Sequence, residues 1–407
     1  MKPEQGNTFL HPESLGILAI LALASALTSV SIDLLAPTLP VLSQAFDDST
    51  GSIKLTINAF YAGFGFAHIF WGGLSDRFGR RKIMLIGICL YGVATFGCIS
   101  ASSLESLLLF RTLQGIGAAV GMILGRAIIR DIYGPSGATR ALSTMFMLFV
   151  PIPIIAPIVS GYVVSHFNWP VIFWLMEIVA VLTLLIVMFL LMETAPIKSN
   201  KAELVVPQIN NVGLILSHRF FLKNAITNMF GFATFVIFIS NFSYIMTSKY
   251  AFTPQQNGMV LSSISFCLAI GVFSVRILVP RMGIKPTIMV GNYLLLGFWS
   301  IILLLQLTGM QTLNYYIVPI FFCSFSGGII LSLLPGQAMV PFSHNAGVAS
   351  SIFGILQYGG SSLLAYLSGI FYEVTILTVT LTITLCAVMT LLSYWFFDDS
   401  INEQQAA

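Results

Sequence analysis

Apolar residues run through this chain in long blocks separated by short charged or Pro/Gly-rich breaks. Cutting at those breaks leaves twelve blocks, at about 15–36, 53–72, 83–101, 106–127, 139–163, 169–193, 221–246, 257–279, 286–306, 313–336, 346–368 and 374–397. Each is close to the roughly 20 residues a helix needs to cross a bilayer. The longest polar stretch, roughly 194–220, carries Pro196, Lys198, Lys201, Glu203 and Pro207 and divides the blocks six and six. The expected fold is an all-α membrane protein, with twelve transmembrane helices in two pseudo-symmetric six-helix bundles. Its expected parts are a bundle over 1–193, a cytoplasmic linker over 194–220, and a bundle over 221–407 ending in a short cytoplasmic tail.

The halves echo each other. Arg281-Met282-Gly283 follows span eight as Arg77-Phe78-Gly79 follows span two, an offset of 204 residues, 281 minus 77. Such repetition marks secondary transporters. The second copy has Pro280 where Asp76 would be, and the same offset sets Tyr315 opposite Arg111. Buried charge is thus concentrated in the first half, which is expected to carry ion coupling while the second supplies more of the apolar substrate surface.

Composition removes the soluble alternatives: 57% of residues are hydrophobic and only 8% charged, with a mean hydropathy of +0.92. Such a chain lacks the polar surface to cover itself in water. Lys and Arg near span ends favour the cytoplasm. With the amino terminus inside, the cytoplasmic side holds most of the basic residues, from Lys2 and Arg77 through Arg126, Arg140 and Lys201 to Arg281 and Lys285, against Lys54 and Lys249 outside. Both termini are expected to be cytoplasmic. The net charge of +3 reflects this loop bias rather than a nucleic-acid surface. The first block is long enough to span, ends in Asp33 and Pro37, and is read as a helix and not a cleaved signal. Cys89, Cys98, Cys267, Cys323 and Cys386 lie in spans without metal-ligand spacing and read as packing residues. Nothing matches G-x-x-x-x-G-K-[ST], H-E-x-x-H or G-x-S-x-G, so neither an ATP-driven pump nor an intramembrane enzyme is expected.

Charge inside hydrocarbon is expensive and marks ion or substrate pathways. Asp33 near the outer end of span one and Arg111 a few residues into span four agree in depth, so a pair is geometrically allowed, with the carboxyl gaining or losing a proton as that partnership changes. Glu177 in span six is a further intramembrane acid, either a second proton site or an internally bonded structural group. Helical spacing sets Gln114 and Met122 on the stripe of Arg111, Asn58 and Tyr61 on that of His68, and Asn228, Phe235 and Phe238 along span seven. With Phe321, Phe325 and Gln357 from spans ten and eleven, these are the expected substrate-cavity residues, a mixture suited to amphiphilic organic molecules.

Gly72 to Lys82 matches G-x-x-x-D-R-x-G-R-R-K residue by residue, and Arg111-Thr112-Leu113-Gln114-Gly115 with Ala118 and Ala119 matches R-x-x-Q-G-x-x-A-A. Ala156-Pro157-Ile158-Val159-Ser160-Gly161 is a degenerate G-P-x-x-G-G. These motifs resemble the major facilitator superfamily. Asp33 to Pro40, Arg130-Asp131-Ile132-Tyr133 and Ala346 to Ser351 with Gln357 further resemble its Bcr/CflA-type group of twelve-span drug:proton antiporters. The resemblance implies a loop that latches the halves on the cytoplasmic side in the outward-facing state, through Gly72, Asp76, Arg77, Gly79, Arg80 and Arg81. It implies protons as coupling ion, no cofactor, a small-molecule substrate, and a monomer in the bacterial inner membrane with no nucleic-acid partner. Export by antiport is the leading expectation, and proton-coupled import of a nutrient or siderophore stays open beside it.

Overall fold

The computed structural model describes residues 15–48, 52–194, 209–310, 312–342, 346–370 and 375–396. Lys2, Pro196, Lys198, Lys201, Glu203, Pro207 and the terminal tail lie outside the described residues. The described chain folds as helices in two six-helix bundles, eleven of them long and apolar enough to cross a membrane. The exception is span two, broken into Leu55–Ala67 and Trp71–Phe78 by a turn over His68 to Phe70.

Local sequence explains where the helices start and bend. Ser103 and Ser106 form a reciprocal cap for span four, and Thr253 and Gln256 do the same for span eight with Pro254 at its first position. Span four and the first part of span five form one run, Leu104–Phe149, bent at Gly134 where φ is +64°, and span five continues as Pro151–His166. The repeated Arg-x-Gly appears in the backbone as well: Gly79 (φ +98°) and Gly283 (φ +88°) each turn the chain into the next span.

Close approaches between helices give the register relating the halves. Gly63 lies on the backbone of Thr112 and Gly115 on that of Phe60; in the second half Gly271 lies on Phe325 and Gly328 on Leu268. Position 63 thus corresponds to 271, a shift of 208, and 112 to 325, a shift of 213. Spans three and nine keep a shift of 204, since Gly87 meets Gly117 as Gly291 meets Ile330. The expectation that Tyr315 stands opposite Arg111 is therefore corrected. Tyr315 sits in the first turn of span ten, 47% exposed; the register sets Ser324 opposite Arg111 and Gly327 opposite Gln114. A uniform offset failed because the connections between spans differ in length. The same register explains the break in span two: fourteen residues separate Gly63 from Arg77, against ten from Gly271 to Arg281, and the four extra residues are taken up at the turn.

We call the face where span one begins the starting face and its opposite the far face. Span five packs along span eight, span two along span eleven, and the chain after span one, Ala36–Thr38 and Leu39–Ala45, lies against spans seven and eight. One hydrophobic core runs through both bundles. At the starting face the second bundle has a separate core, including Ile215, Phe221, Phe342 and Phe353. The bundles are thus joined from mid-depth to the far face.

Candidate functional site

Arg111 is wholly buried inside the first bundle. Its Nε donates to the Thr56 carbonyl and its Nη2 to the Ser31 carbonyl, each at 3.2 Å, and its Nη1 donates to Gln114 Oε1. The guanidinium lies 4.7 Å over the Phe60 ring. Gln114 Nε2 donates to Thr95 Oγ1 at 2.7 Å, and Ser31 and Tyr91 share a hydroxyl hydrogen bond of 2.7 Å. One polar network thereby ties spans one, two, three and four together, and each hydrogen bond in it satisfies a group that hydrocarbon would otherwise leave unpaired.

Asp33 does not pair with Arg111. At 6% exposure it takes a hydrogen bond from Ser29, its partner among the described residues. Arg111 reaches the Ser31 carbonyl, two residues from Asp33, but spends its donors on that carbonyl, the Thr56 carbonyl and Gln114. Gln114 is likewise corrected from cavity wall to interior of the first bundle. Glu177 faces span three, where a Cβ on Gly92 would meet its carboxylate at 3.1 Å; its Oε2 is buried without a partner among the described residues.

The Gly72–Lys82 loop is tied within its own half. Arg80 pairs with Asp76 at 2.6 Å and Asp131 at 3.0 Å and donates to Ser75 Oγ at 2.5 Å. Glu193, at the end of span six, accepts from the Arg80 and Arg81 backbone N–H groups at 2.8 and 3.2 Å. An acid there complements the helix N-terminus, and Gly79 is favoured because its φ of +98° is one that L side chains rarely adopt. The Arg81 guanidinium donates to the Met188 carbonyl, while Arg77 packs on Phe78. Gly72 has open space where a Cβ would point.

The segment Ala156 to Gly161 builds the seam between halves. Gly161 lies on the backbone of Pro254 and Gln255, Gly258 on the Pro157 carbonyl, and Ser262 donates to the Ile154 carbonyl at 2.5 Å. Ser160 donates to the Leu34 carbonyl and lies 3.1 Å from Thr38 Oγ1, fastening the end of span one to the same place.

At mid-depth the bundles meet in a cluster of rings centred on Tyr358. It packs on Phe64 at 4.5 Å, Phe232 at 5.1 Å, His68 at 5.5 Å and Tyr61 at 6.1 Å, and its hydroxyl donates to Met122 Sδ at 3.3 Å. Tyr358 lies in a π-helical stretch, Ile355–Gly360, the kind of bulge often found at functional sites. Two glycines admit the contact: Gly65 lets the Gly359 backbone approach, since a Cβ on it would lie 2.4 Å from Gly359 N, and a side chain on Gly354 would occupy the His68 ring. Ser362 donates to the Asn58 carbonyl at 2.7 Å. Tyr61, Met122 and Asn58 are thus brought to the seam, whereas Gln357 is half-buried beside the residue that forms the hub.

Phe235 and Phe238 line a small open cleft between spans seven, eight, nine and ten, with the Trp299 ring packed on Phe238 at 6.1 Å. Asn228 is fully buried one turn below Gly231 of that cleft, both amide atoms without a partner among the described residues. Phe325 contributes its backbone to the Gly271 contact, and Phe321 packs against the core; the cleft lining contains neither. Sequence reasoning missed Tyr358, Glu193 and Trp299. Tyr358-Gly359-Gly360 inside an apolar block, and Glu193 as the acid closing span six, were the available signals; Trp299 carried none.

Comparison with known proteins agrees with this architecture. Residues 21–365 match the family model of the Major Facilitator Superfamily. The chain is 25% identical to the bicyclomycin resistance protein homolog of Haemophilus influenzae (strain ATCC 51907 / DSM 11121 / KW20 / Rd) over 398 residues, 97% of each chain. It is 27% identical to the multidrug resistance protein MdtL of Escherichia coli O81 (strain ED1a) over 351 residues, 83% of this chain and 84% of that one. The crystal structure of a D-xylose-proton symporter superposes with a TM-score of 0.76 at 13% identity, covering 96% of this chain and 98% of that one, and so shares the fold. With its two bundles, its Gly72–Lys82 loop and its Arg111 network, the chain belongs to the Major Facilitator Superfamily.

Proposed function

We propose that this transporter exports small amphiphilic organic molecules, drugs or metabolites, in exchange for protons by alternating access. Its similarity to proteins named for bicyclomycin and multidrug resistance supports efflux. The observation that carries proton coupling is Asp33, a buried carboxyl held by Ser29 and unpaired with Arg111. A carboxyl so placed can carry one proton across, because protonation cancels the charge that hydrocarbon penalises. Arg111, fixed by four spans, is the rigid reference against which Asp33 moves.

In this reading the chain works as a monomer in the bacterial inner membrane without a cofactor, with both termini and the starting face cytoplasmic. The conformation, joined at the far face, then presents its substrate surface inward. When the far face opens, the Gly72–Lys82 loop exchanges part of its present bonding for contacts with the second half. Tyr61, Met122, Phe235 and the Tyr358 hub form the substrate path, and the seam at Pro157 and Gly161 is the contact that must part.

A growth screen of an exporter-deficient bacterium against varied toxic compounds identifies a substrate and the direction of transport. That compound is then added to proteoliposomes enclosing a pH-sensitive dye. Antiport moves protons opposite to the substrate. Protons moving with it establish symport and overturn the proposal, and transport indifferent to pH overturns coupling altogether.

A further inference from the structure

The cleft in the second half occupies the place that Arg111 and Gln114 fill in the first. By the contact register, Arg111 corresponds to Ser324, Gln114 to Gly327, Tyr91 to Leu295 and Thr95 to Trp299. All four second-half residues line the cleft. Exchanging an arginine for a serine and a glutamine for a glycine removes the side chains that would fill it, and a Cβ on Gly327 would meet nothing within 4 Å. At the counterpart site in the first half Arg111, Gln114, Tyr91 and Thr95 are all fully buried, so the two halves fill the same place with different side chains.

The chemistry of the lining is narrow. Phe235, Phe238 and Trp299 present rings, and no acidic or basic side chain takes part. The two hydroxyls are already used, Thr234 on the Gly231 carbonyl at 2.7 Å and Ser324 on the Ile320 carbonyl at 3.0 Å. A charged group would be desolvated there without a counter-ion, whereas an aromatic group gains area burial and ring contacts. The cleft also adjoins the seam: Phe235 packs at 5.7 Å on Phe232, which packs on Tyr61 and Tyr358 at 5.4 and 5.1 Å.

We propose that this cleft is a binding site for an uncharged aromatic group, entered from the ring cluster between the bundles. It rests on the export reading only for its biological use, as the pocket that takes the aromatic end of a substrate.

The test uses the full chain in lipid nanodiscs with two fluorescent probes sharing one skeleton, neutral N-phenyl-1-naphthylamine and its sulfonated relative 1-anilinonaphthalene-8-sulfonate, with empty nanodiscs subtracted. The neutral probe should bind saturably, at least tenfold more weakly to Gly327→Leu and to Trp299→Leu, with Gly327→Ala between, and the sulfonate should not displace it. All variants are first required to elute as monodisperse protein, and the three-member series keeps the test decisive if one fails. Unchanged affinity in the variants, or equal displacement by the sulfonate, overturns the site. So does quenching of Trp299, taken as the difference from Trp299→Phe, by brominated phosphatidylcholine that the neutral probe does not relieve, since a lipid tail would then be the occupant. Probe binding lost in Gly327→Leu, in a protein that exports nothing against a pH gradient, supports the site and sinks the export reading; the reverse pattern sinks the site alone.

Discussion

The two halves solve the same packing problem differently. Between spans three and four the first half places a guanidinium, an amide and a hydroxyl joined by hydrogen bonds, with the Tyr91 phenol beside them bonded to Ser31 of span one; between spans nine and ten the second half leaves an aromatic-lined cleft. A polar network in hydrocarbon is rigid because each member lost strands another. An apolar cleft makes no such demand and can accept or release a guest. The fold therefore pairs a stiff bundle carrying the titratable group with a more accommodating bundle.

The largest effect expected from breaking this contrast is at Arg111. Arg111→Leu strands Gln114 and two backbone carbonyls, and should lower stability by several kcal/mol, since each stranded buried group costs ~1–3 kcal/mol; thermal unfolding in detergent measures it. Transport should fall to background in the same variant. Next is Asp33→Asn, which should abolish pH-gradient-driven transport and flatten its pH dependence while leaving equilibrium substrate binding within about twofold, since the amide keeps size and polarity. Uphill transport unchanged in that variant would move the proton role elsewhere.

A matched pair sharpens the comparison directly. Gln114→Leu should cost ~1–3 kcal/mol because Arg111 and Thr95 lose their partner, whereas Asn228→Leu should be neutral or stabilising, because an unpartnered buried amide is replaced by a group of similar shape. Equal losses in the two would show that the halves do not differ in polar satisfaction. Glu193→Gln should cost ~0.5–1 kcal/mol through a weaker anion at the helix N-terminus. The smallest effect is Tyr358→Phe, which removes only the contact to Met122 and should shift stability by less than about 1 kcal/mol, while keeping the rings in place.

Much of the fold could be read from the residues because each block of apolar sequence has one stable option in a bilayer. The Arg-x-Gly repeat was equally readable, since a positive φ needs glycine. Register was not: a single offset carried Arg111 to Tyr315, and only the pairing of Gly63 with Thr112 and of Gly271 with Phe325 moved it to Ser324. The site divided in the same way. Asp33 and Arg111 stand out as charges, but whether they touch depends on which neighbours claim the guanidinium donors, and the Ser31 and Thr56 carbonyls leave no trace in side-chain identity. Tyr358 and Trp299 look like ordinary membrane aromatics until the glycines opposite them, or the void beside them, are seen.

The turn at His68 to Phe70 makes the second span two short levers on a joint. The piece ending at Ala67 lies on span four through Gly63 and Phe60 and runs along span eleven, while the piece starting at Trp71 is held by its own bundle through the Trp71 indole N–H, which donates to the Ile116 carbonyl at 2.8 Å. A straight rod would fix the aim of the Gly72–Lys82 loop by the packing of the first piece alone; the four additional residues let the loop take its direction from its own bonds to Asp131 and Glu193.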